Sequence, residues 1–127
     1  LAHLNIAGAI FILGSTEPHY TPSKTYQGVL SQKPILAVLH SNSTAAPVLQ
    51  NAGAGVVLVF NGENDLQTIS NSFVAKYQEF LLFSQSFNPA KIDRTAFNQY
   101  SATNTTKQLS SLLNQAISAE KKVYQQV

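Results

Sequence analysis

Residues 6–40 read "IAGAIFILGSTEPHYTPSKTYQGVLSQKPILAVLH", and the fold is decided in this stretch. An almost unbroken apolar run, 6–13, ends in Gly14, and a second, 35–40, ends in His40. Apolar runs of this length without alternation suit strands buried on both faces, as in a parallel sheet. Between them, Thr21 can cap a helix whose first position is Pro22, where the missing N–H costs nothing. That helix is expected to run to about Ser31, with Tyr26, Val29 and Leu30 on one face. Pro34 cannot continue it.

The pattern repeats downstream. "SNSTAAPVLQNA", 41–52, reads as a turn and a short helix capped by Ser43 or Thr44, and Gly53 stands where a left-handed residue closes a helix. "GVVLVF", 55–60, is a third strand. Strand, helix, strand, helix, strand makes the class α/β, with a Rossmann-like parallel sheet and flanking helices. A longer helix is expected over 64–83, with Asn64 and Gln67 as a capping box and Leu66, Ile69, Phe73, Tyr77, Phe80 and Leu81 as its buried stripe. Residues 84–93 read as a loop. The tail at about 104–122 is helical, with Leu109, Leu112, Leu113, Ala116 and Ile117 on one face and several capping residues in "SATNTT" before it. Both helices are expected to be core-packing elements.

The 127 residues suffice for one domain with a core, and 44% hydrophobic against 11% charged content argues against disorder. The net charge of +2 comes without a basic cluster beyond Lys121–Lys122, which argues against nucleic-acid binding. The absence of cysteine excludes disulfides and thiolate metal sites. No apolar run is long enough to span a bilayer, and residue 1 is a leucine that opens directly into the first apolar run. The chain is therefore expected to be the later part of a longer reading frame, missing some strands of its own sheet.

In open parallel α/β sheets, ligands bind beyond the carboxyl ends of the strands. Residues 14–24 occupy such an end. A helix start there offers N–H groups to an anion. Ser15, His19, Tyr20, Thr21 and Ser23 add donors, Lys24 adds a full positive charge, and Glu17 can accept from sugar hydroxyls. His40 ends the neighbouring strand. The set suits a sugar phosphate or a nucleotide diphosphate. It also suits a plain capping sequence, because Thr21-Pro22-Ser23 can close a helix with no ligand at all. There is no Gly-x-Gly-x-x-Gly, no phosphate-binding P-loop and no Gly-x-Ser-x-Gly elbow. Glu17, His19 and His40 lack the tight spacing of a metal site, so none is expected.

The same stretch resembles the C-terminal half of GT-B glycosyltransferases of the family 4 type. The residues that carry the likeness are "AGAIFILGSTEPHYTPSK", then "SQKPILAVLH", "SNSTAAPVLQNAGAGVVLVF" and, near the end, "AFNQYSATNTTKQLSSLLNQAI". The likeness implies a C-terminal nucleotide-sugar-binding domain over 1–127, with 84–127 as its closing loop and helical tail. It implies that Ser23 and Lys24 hold the donor diphosphate and that His19 and Tyr20 lie near the sugar or phosphate. Gln27 falls where many members place a glutamate that bonds ribose, and His19 stands where another glutamate is common. Both acids of that pair are therefore replaced. The implied activity is sugar transfer from a nucleotide diphosphate sugar to a cell-surface glycan or lipid, without a required metal, in the cytoplasm or at the inner membrane face. An N-terminal acceptor domain would be the partner, and the isolated chain would be inactive. The alternatives are a non-catalytic binding module, motivated by the replaced acids, and a nucleotide-sugar epimerase of related fold. An exposed sheet edge would also favour a homodimer.

Overall fold

The computed structural model describes residues 2–62 and 65–124, and the chain divides into two units, 1–96 and 97–127. The first unit begins with α1 (Ala2–Ile6), β1 (Ile10–Leu13), α2 (Lys24–Leu30), β2 (Ile35–His40) and α3 (Ala45–Asn51). It continues with β3 (Gly55–Phe60), α4 (Leu66–Ser86) and a 3-10 turn (Pro89–Lys91). Then come α5 (Arg94–Asn98) and, in the second unit, α6 (Ala102–Tyr124). The three strands form one parallel sheet in the order β1-β2-β3, so the α/β, Rossmann-like class holds.

β2 is central and every one of its residues is buried, as its unbroken apolar run requires. The register sets Phe11, Leu36 and Val56 in one row and Leu13, Val38 and Leu58 in the next. On that face Phe80 of α4 is buried with Leu36 and Val56, while Ile69 and Phe73 pack on Val38, Leu58 and Phe60. The opposite face is covered by α2 and α3. Gly28 lets α2 come close there: a Cβ on it would stand 3.3 Å from Ile35 Cδ1 and 3.6 Å from Ile12 Cδ1. Gly53 follows α3 with φ +61°, the left-handed conformation expected of it.

Four expectations are corrected. The first apolar run is not one strand: residues 2–6 turn as α1, and β1 is the four residues 10–13 on the sheet edge, not buried on both faces. The helix after it starts at Lys24, with Ser23 in the capping position, because the Pro22 carbonyl accepts a three-residue turn bond from the Thr25 N–H before regular helix begins. On α4, Tyr77 and Leu81 are exposed, since β3 and β2 lie under only part of the stripe. On α6, Leu109, Leu112, Leu113 and Ile117 are each more than half exposed, so its stripe is not buried within its own unit. The capping box assigned to Asn64 and the side chain of Leu66 lie outside the described residues. At the start of α4, Asp65 Oδ2 accepts from the Asn61 N–H at 3.0 Å. In the second unit, Ser101 Oγ accepts from the Asn104 N–H at 3.3 Å and caps α6.

Candidate functional site

α2 packs back along β1, so its first turn lies by the carboxyl end of that strand, and the loops 14–23 and 41–44 follow β1 and β2 at that edge of the sheet. The two loops are tied together. Thr21 Oγ1 and Thr44 Oγ1 share a hydrogen bond of 2.8 Å across a separation of 23 residues. The expectation that Thr21 caps the helix is therefore corrected: its hydroxyl joins two loops, and Ser23, which does occupy the cap, makes no capping bond.

Within the 14–23 loop, the Glu17 N–H donates to Ser15 Oγ at 3.1 Å, and the Tyr20 N–H donates to the Glu17 carbonyl at 3.1 Å. These bonds fold Glu17, Pro18 and His19 into an exposed turn. Beside it lies a cleft of about 390 Å³. Its polar lining is Tyr20, Ser23, Lys24 and Gln27, and its apolar floor is the four residues of β1 with Leu4 and Gly28. Lys24 and Gln27 share one face of α2 at three-residue spacing. No carboxylate among the described residues lies within ion-pair distance of Lys24.

The structure thus brings together Tyr20, Ser23, Lys24 and Gln27. It does not place Ser15, Glu17, His19, Thr21 or His40 in the cleft lining. His40 is 4% exposed, its ring set edge-on to Phe60 at 5.6 Å between centroids. Its Nδ1 accepts from the Asn42 N–H at 3.0 Å, which leaves Nε2 to carry the proton of the neutral ring. Thr44 was missed as a member of this edge. In the sequence it reads only as a possible cap of the next helix, whose cap position it does occupy, and its place just after β2 is shared with Ser41, Asn42 and Ser43.

The seven residues of α2 also change the electrostatics. A helix this short adds little macrodipole, so the charge available to an anion here is that of Lys24 itself. No carboxylate among the described residues lines the cleft. Among the described residues, no group of three His, Cys, Asp or Glu side chains could hold a metal ion, and no helix is long and apolar enough to cross a membrane. Comparison with family models, curated proteins and solved structures finds no significant match.

Proposed function

We infer that the cleft beside α2 binds a nucleotide diphosphate sugar, as the donor-binding part of a glycosyltransferase that delivers sugar to a cell-surface glycan or lipid. The observation that carries the reading is the convergence of Tyr20, Ser23, Lys24 and Gln27 on one cleft at the edge of a parallel sheet. Its volume of about 390 Å³ falls in the range of about 300–1,000 Å³ usual for small-molecule sites. The Lys24 ammonium supplies the charge a diphosphate needs, and the Ser23 hydroxyl a donor beside it. The Gln27 amide both donates and accepts, which suits a ribose diol. Tyr20 and the β1 side chains offer apolar surface to a base or sugar ring. In a transferase the same cation would stabilise the leaving diphosphate electrostatically. In this reading the acceptor is held by another domain, and the work is done in the cytoplasm or at the inner membrane face.

A second reading is a binding module without transfer activity. It is favoured by the described lining, which holds Gln27 and no carboxylate: an amide cannot take up a proton as an acid–base residue would.

Calorimetric titration with UDP, GDP and ADP, each beside its nucleoside, tests the shared part of both readings. One diphosphate should bind better than its nucleoside. Lys24→Ala should weaken that diphosphate at least about tenfold, or about 1.4 kcal/mol, and leave the nucleoside unchanged. Equal binding of diphosphate and nucleoside, or an unaffected Lys24→Ala, would contradict the assignment. Turnover in a longer form of the protein would then separate transferase from module, because Gln27→Ala should abolish transfer only in the first case.

A further inference from the structure

β1 is the least covered strand of the sheet. It lies at an edge, and its Phe11 and Leu13 side chains are 56% and 66% exposed. The Ile10 N–H donates to the Pro34 carbonyl at 3.0 Å and the Gly14 N–H to the Val38 carbonyl at 2.8 Å, so the even positions turn toward β2. With a period of two, the N–H and C=O groups of Phe11 and Leu13 turn to the open side. Among the described residues, no turn, loop or cap hydrogen bond takes up either amide. The strand reads "IFIL", without the Lys, Pro or inward charge that blunts natural edges. Room for a further strand's side chains exists on both faces. The apolar floor of the Lys24 cleft lies on one, and on the other an apolar groove of about 320 Å³ is bounded by Phe11, Leu36, Phe73, Tyr77 and Phe80.

A guest at this edge must be extended, uncharged and apolar on both faces over about four residues. β1 is itself such a segment. We propose that the open edge of β1 pairs with β1 of a second copy, antiparallel about a twofold axis at Ile12, to form one continuous six-stranded sheet. Residues 11 and 13 are the ones with outward amides. Phe11 therefore faces Leu13 of the copy, and Leu13 faces Phe11, each pair exchanging both N–H···O bonds. All cross-strand pairs are apolar and no like charges meet. Phe11 and Leu13 of the two copies stand on the α4 side and extend the apolar strip of Phe73, Tyr77 and Phe80. Ile12 meets its own copy on the other face. The same patch serves both partners, so the interface closes at two. This goes beyond the donor reading and is argued without it, but it uses the same β1 floor, so a second copy and a nucleotide would compete there.

The test is sedimentation velocity of the chain from micromolar to millimolar concentration, with amide hydrogen exchange at single-residue resolution at both ends of that range. The mass should double. The Phe11 and Leu13 amides should gain protection in step with it, while Ile12, bonded to β2, stays protected throughout. Leu13→Lys should raise the dimer Kd at least about tenfold. It should leave thermal unfolding of the monomer unchanged, because the side chain is exposed. A monomer at every concentration would overturn the proposal. So would a dimer unweakened by Leu13→Lys, or protection of Phe11 and Leu13 that does not vary with concentration, which would mean that another segment covers the edge.

Discussion

Thr25 is fully buried in α2, and its hydroxyl has no hydrogen-bond partner among the described residues. A buried hydroxyl left unpaired costs about 1–3 kcal/mol, and valine has the same shape and nearly the same helix propensity. Thr25→Val is therefore expected to stabilise the fold by about 1 kcal/mol in urea denaturation. A loss of stability would contradict this. Gln32 is a second site of local cost. It follows α2 with φ +59°, donating its N–H to the Val29 carbonyl at 3.2 Å, in the position where helices usually place glycine. Its side chain is exposed, so Gln32→Gly removes backbone strain and little else. The expected gain is about 0.5–1 kcal/mol, read from the same denaturation curves. Neither site was legible beforehand. The sequence "LSQKP" shows where the helix must stop but not that a glutamine takes the left-handed position, and an unpaired hydroxyl is a property of its surroundings. The Thr21–Thr44 bond was equally hidden, because it depends on β1 and β2 being neighbours. Ser23 and Lys24 could be singled out because their chemistry at a helix start is local, whereas Gln27 was named only through the glycosyltransferase resemblance.

At the scale of elements, the apolar runs 35–40 and 55–60 coincide with β2 and β3 to the residue: central β2 needs apolar side chains on both faces, and β3, at the other edge, is still covered by α3 and α4. The run 6–13 reads as one strand, but α1 takes Ile6 and only 10–13 pairs with β2: apolar content does not show where pairing begins, and the reading passes over Gly8, which marks the break. The helices show a related limit. Periodicity identifies a stripe, but whether a neighbour covers it depends on the sheet's width. On α4, Phe80 is 7% exposed against Leu36 and Val56, whereas Tyr77, one turn earlier, is 45% exposed. Phe80→Ala should therefore cost about 3–4 kcal/mol of stability, as buried Phe truncations do. Tyr77→Ala should cost about 1 kcal/mol or less, because mainly its contacts with the Phe73 and Phe80 rings are lost. Equal losses in chemical denaturation would mean that α4 sits on the sheet through a different face.

For the whole molecule, the donor-site account depends on the apposition of α2 and β1. Gly28 sets that approach, and it brings Lys24 and Gln27 to the cleft floored by the strand. The exposed turn with Glu17 and His19, and the buried His40, stand outside that lining. A ligand should therefore perturb one side of the 14–27 stretch and not the other. The most direct measurement is an amide-resolved NMR titration of the chain with UDP, GDP and ADP in turn, without metal and then with magnesium. The account predicts saturable shifts at Tyr20, Ser23, Lys24, Gln27 and Gly28 for one nucleotide, already present without metal, with His19 and His40 changing little. No shift at millimolar nucleotide from a folded sample, or shifts centred on Glu17, His19 and His40 with the α2 face unmoved, would contradict it.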